Sequence, residues 1–151
     1  MNVADMTLPE ELVALISSGR WPRNDDEARR QNLKCRVSAE RIHRIAPDED
    51  SIFFDPPPFS IGESLLDLPD TVSRMFSGAP DSLSPPGDIV FSRAVILGDF
   101  GAGSDAPIAL DYRDDTGRPS VIRLRWLPEP GGNRWVYAAP SFARFAELLE
   151  L

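Results

Sequence analysis

The segment best suited to chemistry is rich in glycine and contains carboxylates. Residues 98–105 read GDFGAGSD, and a further carboxylate, Asp111, lies on the next extended run. Three glycines within six residues can turn several backbone amides toward one point, which is how a backbone nest binds an anion. Alternatively, Asp99, Asp105 and Asp111 could hold a metal ion that activates water for hydrolysis.

The anion-binding interpretation lacks the residues that usually accompany it. A P-loop ends in Gly-Lys-Ser or Gly-Lys-Thr, and this segment contains no lysine. A dinucleotide fingerprint opens a helix, whereas Pro107 and an extended run follow here. The carboxylates of Asp99 and Asp105 would also repel a phosphate. We therefore expect a tight connection between two strands in which glycine supplies positive φ, and we keep the aspartate-based hydrolase as an alternative.

The single histidine, His43, and the single cysteine, Cys35, limit the other sites that the chain could build. Zinc sites usually need three or four Cys or His ligands, and the aspartate spacing does not fit an EF-hand calcium loop. A Ser–His–Asp triad would have to use His43, which has no nucleophile elbow near it. A Cys35–His43 pair has no supporting motif. We therefore expect no catalytic residue, no cofactor and no metal.

Two capping patterns predict helices in the first third of the chain. Thr7 and Glu10 are spaced as a capping box, in which Thr7 accepts an amide bond and Glu10 reaches back. Gly19 predicts the end of this first helix. Asn24 to Glu27 has the same spacing and predicts a second, polar helix. The apolar face of the first helix is Leu8, Leu12, Leu15 and Ile16, and we expect Trp21 to pack against it.

Basic residues are concentrated in one segment. Residues 20–44 contain eight of the sixteen cationic side chains and four acidic ones, so this segment carries +4 and the rest of the chain −12. Such an uneven distribution can orient a partner. A solvated helix face with intrahelical ion pairs is the interpretation we favour.

Proline interrupts the middle of the chain. Eight prolines lie between Pro47 and Pro86. Residues 51–54 resemble a short strand, and residues 64–76 have helix-compatible apolar spacing that Pro69 interrupts. We expect residues 77–88 to form a mobile loop. An interdomain linker is the competing interpretation, which we reject because neither half has enough apolar pattern to fold alone.

The second half of the chain is typical of β-structure. Residues 89–97 predict a strand that a turn at Gly98 ends, and three more follow at 107–112, 120–126 and 134–138. They form an antiparallel meander. A helix begins near Ser141, and its buried residues are Phe142, Phe145, Leu148 and Leu149. We therefore predict one α+β domain over residues 1–151, with a mainly antiparallel sheet covered on one face by N- and C-terminal helices.

Composition limits the class of partner. The chain has 151 residues and a net charge of −8, from 16 cationic and 24 acidic side chains. This charge disfavours nucleic acid, and it favours docking on a basic protein, including a nuclease surface shaped to hold nucleic acid. No apolar run approaches the ~18 residues of a membrane span, and no signal peptide is recognisable. With one cysteine, the default compartment is the cytoplasm.

Several motifs together resemble the SUKH superfamily, the Smi/Knr-type cell-wall regulators and bacterial immunity proteins. They are ILGDFGAGSD at 96–105, PIALDYR at 107–113, PSVI at 119–122, Trp135 and residues 139–145, with looser likeness at 8–12 and 57–59. The resemblance implies a non-enzymatic α+β fold. It makes the following residues a fold-shaping motif: Gly98, Asp99, Phe100, Gly101, Gly103, Ser104, Asp111 and Tyr112.

The same resemblance implies a function in protein binding. Bacterial members include immunity proteins that bind and neutralise polymorphic toxins, many of them nucleases or deaminases, whereas fungal members are regulators. We expect the bacterial type, and a regulatory or scaffold protein of the same fold is the alternative. No oligomeric state is favoured. Our candidate partner contacts are acidic residues that lie in or beside loops: Asp48, Glu49, Asp50, Asp67, Asp70 and Asp81. The alternative is that these residues only keep the loops solvated and contact no partner.

Overall fold

The structure is a computed structural model, and it describes residues 1–34, 36–101, 106–114, 117–128 and 132–151. They form a single α+β domain around a mainly antiparallel sheet, with helices near both ends of the chain. The strands are β1 Asn2–Val3, β2 Met6–Thr7, β3 Ile52–Phe54, β4 Pro86–Gly87, β5 Ala94–Phe100, β6 Pro107–Asp111, β7 Ser120–Arg125 and β8 Arg134–Ala139. The helices are α1 Glu10–Ser17, α2 Asp25–Leu33, α3 Ala39–Ile42, α4 Asp70–Ser77 and α5 Phe142–Leu149, with 3-10 turns at Gly62–Asp67 and Phe91–Arg93.

Six strands build the main sheet in the order β3-β5-β6-β7-β8-β4, and every neighbouring pair is antiparallel. The predicted meander is therefore confirmed as β5 to β8. The two edge strands, β3 and β4, come from the proline-rich middle of the chain. Because the middle segment supplies both edges, it is part of the domain and does not link two units.

The terminal helices cover one face of the sheet, as predicted. Phe142 and Phe145 of α5 pack with Leu12 of α1 and with Trp21 in the larger apolar core. The Trp21 ring lies 4.2 Å from that of Phe54, between centroids, and its Nε1–H donates to the Asp55 carbonyl at 2.8 Å. This core joins the first and last helices to the sheet.

The opposite face is also covered, which the sequence did not predict. A second core consists of sheet residues such as Ile122 and Trp135 together with Phe76 of α4 and Ile89. The Trp135 Nε1–H donates to the Phe76 carbonyl at 2.6 Å. Apart from the edge strand β4, residues 62–93 therefore form a second layer, packed on the face that the terminal helices leave free.

The helix starts test the two capping patterns. The first prediction is wrong in detail, because Thr7 pairs with Asn2 in the small β1–β2 ladder and α1 begins after Pro9 without a side-chain cap. The second is confirmed, since the Asn24 side chain accepts the Glu27 amide at 2.9 Å. Glu27 reaches back one residue further than expected, to the Arg23 amide.

The β-strand predictions need two corrections. Residues 91–93 form a 3-10 turn, so β5 begins at Ala94 and not at residue 89. Gly98 does not end the strand. It lies within β5 at φ 154°, where a Cβ would stand 2.0 Å from the Phe53 carbonyl oxygen of β3. Only a residue without a side chain lets β3 approach this closely.

The predicted loop at residues 77–88 contains an edge strand. Pro86 and Gly87 pair with Val136 and Trp135 of β8, and Gly78 forms a bridge with Asp88. Proline and glycine are poor strand formers, which is why composition pointed to a loop. In the part of the chain that is described, no helix combines the length and apolar character needed to cross a membrane.

Candidate functional site

The glycine segment does not gather the aspartates into a metal site within the described residues. Asp99 lies opposite Pro107, and Asp111 lies opposite Ala94. Asp99 and Asp111 are thus at opposite ends of the β5–β6 pair, about 13 Å apart along the strands at ~3.3 Å per residue. The described residues include no group of three His, Cys, Asp or Glu side chains able to hold a metal. Cys35, Gly103, Ser104 and Asp105 lie outside the described residues.

Asp111 is occupied by an internal ion pair. Its side chain is 1% exposed and accepts from Arg113 Nε at 2.6 Å. The same guanidinium reaches Asp88, with its carboxylate at 2.9 Å and its carbonyl at 2.8 Å. This network attaches the end of β6 to the segment that follows β4, a role in holding the fold together.

Tyr112 connects the sheet to the N-terminal hairpin. Its hydroxyl donates to the Thr7 carbonyl at 2.7 Å, and its amide donates to the Arg93 carbonyl at 2.8 Å. Burial raises the pKa of Tyr112 to about 12, so the phenol keeps its proton and remains a donor at neutral pH. Together with Gly98, Asp111 and Tyr112 make contacts that shape the fold.

Asp48, the first candidate partner contact, lies at the surface and pairs with a buried cation. Its carboxylate accepts from both terminal nitrogens of Arg123, at 2.6 and 3.1 Å. Partial burial acts to raise the pKa of Asp48, but the hydrogen bonds and charge of Arg123 outweigh it and hold the pKa below its usual value. Arg123 is 5% exposed, and its Nε has no hydrogen-bond partner among the described residues. Asp48 therefore neutralises a buried charge.

Glu49 and Asp50 continue the same acidic run at the surface. Burial, assisted by the carboxylates of Asp48 and Asp50, raises the pKa of Glu49. The Asp50 side chain is 85% exposed, and it lies 2.8 Å from Nε2 of His43. The sole histidine thus contacts a carboxylate at the surface and has no nucleophile beside it among its described contacts.

Asp81 shapes a loop. Its Oδ1 accepts the amides of Leu83 at 2.9 Å and Ser84 at 3.4 Å, and Arg134 lies 4.0 Å away. The turn that results presents Leu83, which is 93% exposed. Asp81 therefore holds this turn in shape, and Leu83 on the turn faces solvent.

Asp67 and Asp70 remain free for a partner. Both are exposed, at the end of the first 3-10 turn and the start of α4. Neither side chain makes an ion pair within the described residues, and the same holds for Glu63 at the start of that turn. Exposed Leu66 and Leu68 lie between these carboxylates.

Other large apolar side chains are also exposed. Met75 lies on α4, Leu83 on the loop that Asp81 shapes, and Trp126 directly after β7. The sequence did not predict that these residues are exposed, because an apolar residue in a short element flanked by proline is expected to lie in the core. We name the α4 surface by its members: Glu63, Leu66, Asp67, Leu68, Asp70, Met75, Leu83 and Trp126.

A hollow at the other end of the sheet is a less suitable site for a ligand. It has a volume of about 560 Å³, and Arg118, Tyr137 and Pro140 line it together with Asp111 and Tyr112. The polar groups of Asp111 and Tyr112 are already bonded within the fold. Asp111 and Tyr112 are therefore not available to a ligand in this hollow.

Comparison with protein-family models, with curated proteins and with solved structures gives no match to this chain.

Proposed function

We propose that this chain is a protein-binding domain of the SUKH type that neutralises a basic toxin by occupying its surface. The observation that carries the proposal is the excess of exposed carboxylates without an ion pair. In the described part of the chain they are Glu10, Glu11, Asp25, Asp26, Glu40, Glu63, Asp67, Asp70 and Asp114. Carboxylates that no internal cation neutralises can attract an oppositely charged partner.

Electrostatic steering fits the task of an immunity protein. A toxin must be captured before it reaches its target, and complementary charge raises association rates well above the ~10⁵–10⁶ M⁻¹s⁻¹ of uncharged encounters. Nucleases and deaminases present basic surfaces to their nucleic-acid substrates. This chain has a net charge of −8, the same sign as a nucleic acid. It therefore competes with the nucleic-acid substrate for the basic surface of the toxin.

A protein that blocks its toxin by forming a 1:1 complex needs a rigid binding face and no catalytic residues. Both faces of the central sheet are packed into apolar cores, so the domain can bind without large rearrangement. We place this action in the cytoplasm, where the single cysteine needs no disulfide partner. A regulatory protein of the same fold would bind its partner through the same type of surface.

Binding and protection are tested together with the products of the two genes adjacent to the one encoding this chain. Each product is expressed in a bacterial host with and without the chain, and growth and complex formation are measured. We expect one product to arrest growth, the chain to restore growth, and the two to form a salt-sensitive 1:1 complex. A complex with a harmless product would favour regulation. The absence of any complex, or turnover by the purified chain, would overturn the proposal.

A further inference from the structure

The large exposed apolar side chains concentrate on one layer of the molecule. Of the seven that are exposed among the described residues, Leu66, Leu68, Met75 and Leu83 belong to residues 62–88, and Trp126 adjoins that segment. Scattered exposed apolar residues are ordinary, but a contiguous group with a polar rim marks an interaction site.

Hydrogen bonds show that Trp126 and α4 are neighbours. Asn133 donates from Nδ2 to the Met75 carbonyl at 3.2 Å, and its Oδ1 accepts the Leu127 amide at 3.4 Å. Trp126 follows directly after β7, whose Leu124 packs in the core with Phe76 of α4. Asn133 therefore links the backbone next to Trp126 to the C-terminal end of α4.

Exposed apolar residues also precede the N-terminal end of α4. Leu68 lies two residues before the helix, and α4 spans eight residues, or about 12 Å at ~1.5 Å per residue. An interface that buries ~800 Å² per partner is ~28 Å wide. This width is enough to include Leu66, Leu68 and Met75. Leu83 extends the patch on a turn that Asp81 holds in shape, which lowers the entropic cost of binding through it.

We propose that the α4 surface is the docking face, and that its occupant is a basic protein which buries apolar side chains against Leu68, Met75 and Trp126. This inference rests on the protein-binding role proposed above and adds where the partner binds. The carboxylates of Glu63, Asp67 and Asp70 are exposed and unpaired within the described residues. Against the exposed cations Arg74 on α4 and Arg125 before Trp126, these three carboxylates leave the surface with a net negative charge, which suits lysine and arginine on the partner.

Charge argues against the other occupants of such a patch. A second copy of this chain would bring the same carboxylates together on a molecule that already carries −8, and like charges across an interface are costly. Anionic lipid would be repelled for the same reason. A cationic protein is the partner whose charge the α4 surface complements.

The test compares matched variants in binding to the neighbouring-gene product that forms the complex. Leu68→Ser combined with Trp126→Ala removes two apolar contacts, and Tyr137→Ser is the control because Tyr137 is similarly exposed outside the α4 surface. Asp70→Lys reverses a charge in the first turn of α4, and Glu147→Lys makes the same change on α5, on the opposite layer, where Glu147 pairs with Arg144. Thermal unfolding of each variant checks that it folds.

The apolar double variant should weaken the affinity by about thirtyfold or more, in keeping with a buried tryptophan hot spot. Asp70→Lys should slow association by about tenfold at low salt, while both control variants bind as the wild type does. If the wild type binds and the α4 variants bind equally well, the inference is wrong and the proposed function stands. If the wild type forms no complex with either gene product, both are overturned.

Discussion

Arg123 and Asp48, which are 75 residues apart in the chain, form a two-pronged ion pair across one face of the sheet. Arg123 stands in β7, with its guanidinium 5.7 Å from the centroid of the Phe100 ring. The pair fixes the segment that leads into the edge strand β3. A buried cation is tolerated here because the carboxylate and the aromatic ring compensate it.

Removing the carboxylate should leave this cation without compensation. Asp48→Ala is expected to lower the free energy of unfolding by about 2 kcal/mol, less than the ~3–5 kcal/mol of a fully buried pair because Asp48 is partly exposed. Adding Arg123→Met should recover part of the loss, since the orphan charge is then absent. Urea unfolding measures both. If the losses of Asp48→Ala and Arg123→Met simply added, the two residues would not be coupled.

Acid should weaken the start of α2. Hydrogen bonds from the Arg23 side chain and amide lower the pKa of Glu27 from 4.5 to about 2. A carboxylate with a lowered pKa in the folded state contributes stability above its unfolded pKa, and the contribution is lost as the pH falls from 4.5 toward 2. The unfolding temperature of Glu27→Gln should therefore fall less than that of the wild type in this range. Parallel curves would contradict this role for Glu27.

Tyr112 should titrate in strongly alkaline solution and affect stability there. Its pKa is raised from 10.0 to about 12 by burial, so the folded state holds this proton more tightly than the unfolded state. The contribution is present below pH 10 and is lost as the pH rises toward 12. Absorbance of the phenolate should show an ionisation near 12 that Tyr112→Phe removes. Tyr112→Phe also removes the hydrogen bond to the Thr7 carbonyl. Its free energy of unfolding should therefore be lower by about 1 kcal/mol.

Gly98 should not tolerate a side chain. An alanine Cβ there would meet the Phe53 carbonyl oxygen at 2.0 Å, so Gly98→Ala should separate β3 from β5 and cost about 3 kcal/mol or more. Gly117→Ala is the control, because φ is +69° there and a Cβ would have no described atom within 4 Å. It should cost only the ~1–2 kcal/mol of the left-handed conformation. Equal losses in thermal unfolding would show that contact with β3 is not the cause.

The alternation and spacing of apolar residues along the chain predicted the strands and helices whose residues pack in a regular pattern. Strands β6 to β8 and helix α5 follow this rule, and they form most of the meander and one of its covers. The edge strand at Pro86 and Gly87 could not be predicted, because its place in the sheet depends on pairing with β8 and not on its own residues. The start of α1 was missed because Thr7 was used instead in a strand pair.

Residue types alone could not distinguish the acidic side chains that are free from those that are engaged. Asp48 precedes the short strand β3, and Asp70 is the first residue of the short helix α4. Asp48 neutralises Arg123 from a position 75 residues earlier, a pairing that only the folded chain reveals. The α4 surface was missed for a related reason, since Leu68 and Trp126 have the composition of core residues and are exposed by tertiary placement.

The most direct test of the account is hydrogen exchange in the complex between this chain and the neighbouring-gene product that binds it. Amide exchange is measured for the free chain and for the purified 1:1 complex. We expect binding to slow exchange in residues 62–88 and around Trp126, and to leave α1 unchanged. Protection confined to α1 and α5, with residues 62–88 exchanging as in the free chain, would contradict docking on the α4 surface.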